Sequence, residues 1–401
     1  MSNSLLHPFS LPEQTASDYV NIVRGEGSIV FDDSGKDYVD GLANLWLCQV
    51  GYGRTKIVEA VTNQMSQIHA YNTFPPFTNS PAERITEMIV ERSPHPDGRV
   101  FLGSSGSEAI DTVLKIARVV MQQRGQAERQ IIVKRTNGYH GTNFGGTSAQ
   151  GIAPNREGWG DLVPHFIEVP HDDLEAAAQI FAEHGDRIAA VLTEPVQGAG
   201  GVHPPVDGYL EGLRRLCDQH GALLIFDEVI CGFGRTGNWF GAQTFGVIPD
   251  LMTFAKGVTS GYLPLSGVIV SRDICTELEK PEFLLRTGYT YSGHHASCAA
   301  GIANLEIMTE EGLPERANHV GEKLAEGLAA LASDGLIQSW RGMGAVYAAE
   351  LGHDSVPTRN EMLKNGVIVR PIGTCLAICP PLVITDDEIG RLLDTMESAL
   401  K

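Results

Sequence analysis

The chain has 401 residues, of which 42% are hydrophobic and 20% charged, the balance of a folded globular protein rather than a disordered one. Its 49 acidic and 30 basic residues give a formal net charge of -19, and no basic run offsets it, so we expect no nucleic-acid partner. Neither a stretch of about 18 apolar residues nor a basic, apolar leader is present, so we expect a cytoplasmic protein without a membrane span.

The first fifty residues read as an arm followed by a hairpin. Residues 28–31 and 36–40 are strand-like, and the turn sequence Asp32-Asp33-Ser34-Gly35 lies between them. From about residue 52 to 304, short apolar runs alternate with amphipathic segments. We predict strands at 99–102, 131–134, 188–193, 222–226 and 265–270, and helices at 107–124 and 208–220. This alternation predicts an α/β fold in which helices cover both faces of a mainly parallel sheet.

The last hundred residues have a different pattern. A long helix is predicted at 313–331, strands at 346–351, 367–369 and 375–379, and a capping box at Thr385-Asp386-Asp387-Glu388 opens a final helix. We therefore expect an N-terminal arm and hairpin (1–50), a large domain (51–304) and a smaller α+β domain (305–401) to which the hairpin contributes.

The segment around Gly106 comes where a predicted strand ends and a helix begins. Glycine admits close approach of an anion, the free N–H groups of a helix N-terminus favour phosphate, and the hydroxyls of Ser105 and Ser107 add donors. The alternative is an ordinary helix cap that binds nothing.

The apolar run 223–226 ends in the carboxylates Asp227 and Glu228. Ligands of such sheets bind beyond the carboxyl ends of the strands, where an aspartate could pair with a cationic ring nitrogen. The alternative is an ordinary polar strand end. The glycine-rich run 232–237 follows at once and matches a dinucleotide fingerprint by letter, but no long helix is predicted after it.

Lys256 ends a further apolar run and is followed by glycine. A lysine at that place would be desolvated beside the sheet edge, where its amine could be neutral and nucleophilic. A single lysine is usually a solvated surface charge, but its position one strand after Asp227 favours a functional role.

The seven cysteines have irregular spacing, which does not indicate a disulfide framework, and we expect buried free thiols. Cys375 and Cys379 have no second pair to complete a zinc site, and His294-His295 has no carboxylate or cysteine at ligand spacing. We expect no metal.

The segments around Gly106, Asp227 and Lys256 resemble the class III aminotransferases of fold type I, particularly the omega-amino-acid and amine:pyruvate branch. The resemblance runs from about Arg24 to the C-terminus. It is carried by six ordered motifs, which lie at residues 105–109, 137–141, 194–201, 227–237, 255–257 and 290–294.

The resemblance implies a large domain with a mainly parallel seven-stranded sheet flanked by helices, a smaller α+β domain, and pyridoxal 5'-phosphate as cofactor. Lys256 would hold the cofactor as a Schiff base and move the proton. Asp227 would pair with the ring nitrogen and keep the ring an electron sink, and Glu194 would support that aspartate or its network.

Other cofactor contacts follow from the same resemblance. Tyr139 and Val229 would pack on the two faces of the ring, and His140 is counted with the cofactor-binding residues. Gly106 and Ser107 would hold the phosphate. Thr290 would reach it from a partner subunit, which implies a homodimer with a shared active site and leaves a tetramer open.

Substrate residues also come from the resemblance. Trp46, Phe74, Tyr139 and Tyr262 would lie at the pocket, and Arg370 would clamp a substrate carboxylate with its planar fork and move aside for an uncharged amine. Core packing is the alternative for Trp46, and a structural ion pair is the alternative for Arg370. Relatives often have Trp-Cys directly, whereas Leu47 follows Trp46 here, so the local pocket shape is expected to differ.

The expected reaction is a two-step ping-pong transamination from an amine or omega-amino acid to a keto acid, with pyruvate as the expected acceptor. A decarboxylase or aminomutase on the same fold, a catalytically silent cofactor-binding protein and a nucleotide-binding α/β enzyme are the alternatives. The donor is not determined by the sequence, because differences between substrates of this size are worth only about 1–3 kcal/mol.

Overall fold

The structure is a computed structural model that describes residues 4–401. Near the N-terminus lie three antiparallel strands: β1 (Ile22–Glu26), β2 (Ile29–Asp32) and β3 (Asp37–Asp40). Asp32 closes the turn between β2 and β3, because its Oδ1 accepts hydrogen bonds from the backbone N–H groups of Ser34 (2.9 Å) and Lys36 (3.0 Å). The predicted hairpin is confirmed.

A seven-stranded sheet forms the centre of the molecule. Its strands are β4 (Arg99–Gly103), β5 (Ile131–Arg135), β6 (Phe166–Val169), β7 (Ile188–Thr193), β8 (Leu223–Asp227), β9 (Leu251–Phe254) and β10 (Ser266–Val270). Their order is β4-β10-β9-β8-β7-β5-β6, and β10 alone runs antiparallel to its neighbours. The mainly parallel seven-stranded sheet is confirmed. Every residue of β7 and β8 is buried, which explains why their sequences are continuous apolar runs.

Helices cover both faces of this sheet. The helices in the chain up to residue 310 are α1 (Ala43–Trp46), α2 (Thr55–Gln67), α3 (Ser80–Arg92), α4 (Gly106–Gln123), α5 (Phe144–Ala149), α6 (Leu174–His184), α7 (Tyr209–His220), α8 (Gly241–Phe245), α9 (Arg272–Leu278) and α10 (His295–Glu310). Helix α4 packs on β9 and β10, and α10 packs against α2 and α3. Short 3-10 turns lie at Ala16–Asp18, Ala153–Arg156 and Lys256–Val258.

The C-terminal part combines helices with a second sheet. Its elements are α11 (Leu313–Ser333), β11 (Ser339–Met343), β12 (Val346–Glu350), α12 (Val356–Lys364), β13 (Val367–Ile368), β14 (Arg370–Ile372), β15 (Cys375–Ile378) and α13 (Asp386–Leu400). The second sheet has the order β11-β12-β15-β14. The predicted capping box is confirmed, since Glu388 accepts from the N–H of Thr385 (2.7 Å) and Thr385 accepts from the N–H of Glu388 (3.3 Å).

The two ends of the chain meet in one sheet, because β13 pairs in parallel with β3. The expected boundary between residues 304 and 305, however, falls inside α10, whose Asn304 is fully buried. We propose instead that the large domain ends after α10, at residues 311–312, and that the hairpin joins the smaller domain. No helix within residues 4–401 combines the length and apolar character needed to cross a membrane.

Candidate active site

Six strands bring their carboxyl ends to one edge of the large sheet. The strands are β4, β5, β6, β7, β8 and β9, which all run in the same direction. Ligands of open α/β sheets bind at this edge. The residues at the ends of these strands or shortly after them include the predicted cofactor residues Gly106, Ser107, Tyr139, His140, Glu194, Asp227 and Lys256.

Asp227, the last residue of β8, has a buried carboxylate with three protein partners. Its Oδ1 accepts hydrogen bonds from the backbone N–H of Val229 (3.1 Å) and the hydroxyl of Thr253 (3.0 Å), and its Oδ2 lies 2.8 Å from Nδ1 of His140. A carboxylate oxygen accepts about two hydrogen bonds. Oδ1 is therefore saturated, whereas Oδ2 can accept one more.

His140 lies behind Asp227 rather than open to a ligand. It is buried, its Nδ1 faces the carboxylate, and its Nε2 has no hydrogen-bond partner within residues 4–401. We assign the proton to Nδ1, because a carboxylate only accepts. The histidine therefore pairs with the aspartate.

Glu194 holds the loop that carries Tyr139. Its Oε1 accepts from the backbone N–H of Tyr139 (2.9 Å) and its Oε2 accepts from that of Gly198 (3.0 Å). Burial raises the pKa of Glu194 to about 7, with Asp227 raising it further and His140 lowering it. Its partners are backbone groups, so it orients the loop and does not bind Asp227 directly.

Lys256 follows β9 and opens a 3-10 turn with a positive φ of 45°. Burial lowers the pKa of its amine below the ordinary value of 10.5, while the charges of Asp227 and Glu194 act in the opposite direction. Its amine makes no hydrogen bond with any other described residue. A buried, unengaged amine with a lowered pKa has the properties of a nucleophile.

A residue that sequence reasoning missed pins this turn. Asn304 of α10 donates hydrogen bonds from Nδ2 to the carbonyl oxygens of Gly257 (2.9 Å) and Val258 (3.0 Å). On the other side, a Cβ at Gly257 would clash with the side-chain amide of Gln49, so a larger residue there would require Gln49 to move. A single asparagine in a helix that is buried along much of its length carries no sequence signal.

The N-terminus of α4 lies against Val229 and the loop after Tyr139. A Cβ added to Gly106 would lie 3.2 Å from Cγ1 of Val229, which shows how closely the two approach. Ser105 caps the helix by accepting from the N–H of Glu108 (3.2 Å), and the hydroxyl oxygen of Ser107 accepts from the N–H of Thr142 (3.0 Å). The cap predicted as an alternative is therefore present, and the N–H groups of Gly106 and Ser107 remain free of helical partners.

Arg370 on β14 has a partly buried guanidinium without an ion pair or hydrogen bond to any other described residue. Burial lowers its pKa, and Tyr139 opposes that shift. Arg370 in turn contributes to lowering the pKa of Lys256, so the two side chains lie close enough to interact electrostatically. Arg370 therefore does not form the structural ion pair considered as the alternative, among residues 4–401.

Two residues expected at the pocket are engaged elsewhere. Trp46 is 2% exposed and packs in a cluster with Val196, Ile230 and Cys379, so the alternative of core packing describes its contacts. The hydroxyl of Tyr262 donates to the carbonyl of Gly51 (3.0 Å) and accepts from the N–H of Arg54 (2.7 Å), which ties it to residues 51–54. Their roles toward a substrate stay predictions.

Phe74 and Thr290 lie on the outside of the chain. Phe74 is 48% exposed and covers Gly288, where a Cβ would lie 2.9 Å from Cζ of Phe74. Thr290, on the same loop as Gly288, is exposed. Both are accessible to a second subunit.

The residues at the strand ends fit the pyridoxal 5'-phosphate that the sequence resemblance implies. An unengaged amine at Lys256, an open lone pair on Oδ2 of Asp227 and free N–H groups at the start of α4 match its aldehyde, ring nitrogen and phosphate. No group of His, Cys, Asp and Glu within residues 4–401 is arranged to hold a metal ion.

Comparison with known proteins points to one family of enzymes, the aminotransferases. Residues 11–400 match the family model described as "Aminotransferase class-III". The putrescine–pyruvate aminotransferase of Pseudomonas aeruginosa is 35% identical over 411 residues, covering 94% of this chain and 90% of that protein. The beta-alanine–pyruvate aminotransferase of the same organism is 35% identical over 423 residues, covering 98% of this chain and 94% of that protein.

A solved structure shares the fold. The amine transaminase from an uncultivated Pseudomonas species, determined with pyridoxal phosphate bound, superposes with a TM-score of 0.94 at 32% identity and covers 100% of this chain and 99% of its own.

Proposed function

The chain belongs to the class-III aminotransferases and uses pyridoxal 5'-phosphate, and we propose that it moves an amino group from an omega-amino acid or amine to pyruvate through Lys256, Asp227 and Arg370. The observation that carries the proposal is that an unengaged amine at the carboxyl edge of the large sheet interacts electrostatically with a fixed carboxylate at the same edge and with an unpaired guanidinium on β14.

Bound pyridoxal phosphate supplies an aldehyde that condenses with amines and a cationic ring that withdraws electrons. Lys256 would hold the cofactor when no substrate is present. When a substrate amine occupies the site, the released Lys256 amine would take the proton from the substrate carbon and deliver it to C4′ of the cofactor. The lowered pKa of Lys256 supports this role, because only the neutral amine accepts a proton.

Asp227 would accept the ring N–H through Oδ2 and keep the ring cationic. His140 supports this by holding the other side of the same oxygen. Tyr139 and Val229 would pack on the two ring faces, with Tyr139 fixed by Glu194. The backbone N–H groups of Gly106 and Ser107 and the hydroxyl of Ser107 would hold the phosphate.

Arg370 would bind the carboxylate of an omega-amino acid or of the keto acid. A partly buried guanidinium without a counter-ion is costly in the free protein, so an anionic substrate gains by pairing with it. The two relatives above act, by their names, on putrescine and on beta-alanine, one donor without and one with a carboxylate. Both use pyruvate, which we take as the acceptor for this chain.

We further propose a homodimer in which Thr290 reaches the phosphate of the partner's site and Phe74 lines its pocket, with Trp46 bordering the pocket from its own chain. The exposure of Phe74 and of the 288–290 loop supports this arrangement. All seven cysteines are free and buried, which supports a reducing, cytoplasmic location.

The test is a donor and acceptor panel with the purified protein. Beta-alanine, putrescine and an aromatic amine are each combined with pyruvate or 2-oxoglutarate, and alanine or glutamate is quantified together with carbon dioxide. Alanine formation that disappears in Lys256→Ala, together with the visible absorbance of the cofactor-bound protein, supports the proposal. Carbon dioxide release without alanine would establish the decarboxylase instead, and absorbance without turnover would establish a silent cofactor-binding protein.

A further inference from the structure

We propose that Thr253 is a positioning residue that locks the rotation of the Asp227 carboxylate, so that Oδ2 is the oxygen presented to the cofactor's ring nitrogen. The inference deepens the proposed function and depends on the role given there to Asp227.

The contact between the two residues follows from strand register. Thr253 and Asp227 are paired residues of the neighbouring parallel strands β9 and β8. The Thr253 hydroxyl donates to Oδ1 of Asp227 at 3.0 Å, and the Thr253 carbonyl accepts from the N–H of Glu228 at 3.0 Å. The same residue therefore holds the side chain of Asp227 and the backbone just after it.

Burial makes this hydrogen bond consequential. Thr253 is fully buried and Asp227 is 4% exposed, so water does not replace a lost partner freely. A hydrogen bond to an ionised carboxylate in such surroundings is about twice as strong as a neutral one. Without the hydroxyl, Oδ1 would keep the N–H of Val229 as its remaining protein donor.

The consequence for Asp227 is a choice between its two oxygens. With Thr253 and Val229 both bonded to Oδ1, that oxygen has no capacity left, and the open lone pair belongs to Oδ2 beside His140. Loss of the Thr253 bond would free a lone pair on Oδ1 and allow the carboxylate to turn. The ring nitrogen would then compete with His140 for a less well oriented acceptor.

Thr253 also lies three residues before Lys256 on the same strand end. It thereby connects the residue that would hold the ring nitrogen with the strand that delivers the amine. A β-branched residue is expected in a buried strand for packing alone, and valine would satisfy that need equally. Packing therefore does not account for the hydroxyl of Thr253, whereas its hydrogen bond to Asp227 does.

The experiment compares Thr253→Val, Thr253→Ser and Asp227→Asn with the wild-type holoenzyme. Three quantities are measured: the dissociation constant of pyridoxal phosphate from the apoprotein, the pH dependence of the absorbance of the bound cofactor, and the melting temperature. We expect Thr253→Val to weaken cofactor binding about tenfold or more, as loss of a hydrogen bond to a charged group predicts, and to shift the pH transition in the same direction as Asp227→Asn. Thr253→Ser, which keeps the hydroxyl, should restore both to within about threefold of wild type.

The outcomes separate the proposals. If Asp227→Asn changes binding and spectrum but Thr253→Val does not, Thr253 has no positioning role. If Thr253→Val and Thr253→Ser lower the melting temperature alike while the pH transition stays in place, the residue is structural and the inference is wrong. If Asp227→Asn itself leaves cofactor binding and the spectrum unchanged, the role of Asp227 in the proposed function fails, and the inference fails with it.

Discussion

The carboxylate of Asp227 acts electrostatically on the amine of Lys256, opposing the fall in the lysine pKa that burial causes. Asp227 ends β8 and Lys256 follows the neighbouring strand β9, so strand order brings an acid near a desolvated base. The net pKa of Lys256 nevertheless lies below 10.5. This balance has a kinetic consequence.

We expect the rate at which the apoprotein takes up pyridoxal phosphate to rise with pH and level off below pH 10.5. A lowered pKa means that the neutral, reactive amine of Lys256 predominates at a lower pH than for a free lysine. The rate is followed by absorbance after mixing across a pH series. Asp227→Asn removes the opposing charge and should move the transition to still lower pH, and a transition at or above pH 10.5 would contradict the burial of Lys256.

Replacement of Arg370 should separate two kinds of donor. In Arg370→Met the KM for beta-alanine and for pyruvate should rise about 10-fold to 100-fold, because each loses a charge-assisted pair. The KM for an uncharged aromatic amine should stay within about threefold, because no carboxylate is involved. Steady-state kinetics with each donor are the measurement. Arg272→Ala, which removes an exposed surface arginine paired with Glu279, is the matched control; equal losses for both donors would rule out a carboxylate clamp.

Much of the molecule follows from sequence pattern, and the exceptions have physical causes. Strands such as β7 and β8 are readable because burial on both faces makes them apolar throughout. Helix α10 was missed because it is buried nearly all round and shows no amphipathic period. The exposed and half-buried residues of β11 likewise carry little strand signal.

The site divides in a similar way. Asp227 and Lys256 stand at strand ends, where function is expected from position alone. Thr253 contacts Asp227, which lies 26 positions earlier in the chain, because of strand register. Asn304 contacts Gly257, which lies 47 positions earlier. No local sequence motif reveals either contact. The hydroxyl of Tyr262 bonds more than 200 positions away in the chain, which its sequence context could not indicate.

Asn304 should be required for a correctly placed lysine. Asn304→Asp keeps the shape but replaces the donor Nδ2 with an acceptor facing the carbonyls of Gly257 and Val258. Two buried carbonyl groups then lose their donor, which costs about 2–4 kcal/mol. We expect a lower melting temperature and slower cofactor uptake, measured on the same preparation. Asn360→Asp on the exposed face of α12 should change neither, and normal uptake in Asn304→Asp would show that the turn holds itself.

The homodimer proposal predicts a defect from a residue that is exposed in the single chain. Thr290→Val should weaken pyridoxal phosphate binding about tenfold through loss of a hydroxyl donor to phosphate, while the mass by light scattering remains that of the wild-type dimer. Thr287→Val, on the same loop and next to Lys115, serves as the control. Unchanged affinity in a dimeric Thr290→Val variant would mean that the partner does not supply this contact.

Glu228 predicts a pH-dependent contribution to stability. Its Oε2 accepts from the N–H of Gly241 (2.8 Å) and its Oε1 from that of Ala242 (2.7 Å), and burial raises its pKa from 4.5 to about 7, with Asp227 adding to the rise and the two N–H groups opposing it. Below pH 4.5 both the folded and the unfolded chain hold the proton. Between 4.5 and 7 the unfolded chain releases it first, so this contribution to stability declines as the pH rises, by at most about 3 kcal/mol.

Glu228→Gln cannot titrate, but its amide nitrogen would face an N–H group and lose one acceptor. The variant should therefore melt below wild type at pH 5, and the gap should narrow toward pH 8, because only the wild type loses the contribution of the buried proton. Melting temperatures of the apoproteins from pH 5 to 8 are the measurement. Glu326 is an exposed residue paired with Lys323, so the melting temperature of Glu326→Gln should differ from that of wild type by the same amount at every pH. A gap that stays constant or widens with pH for Glu228→Gln would show that this carboxyl is already ionised at pH 5, since only a group that keeps its proton above pH 5 can make the wild type lose stability across that range.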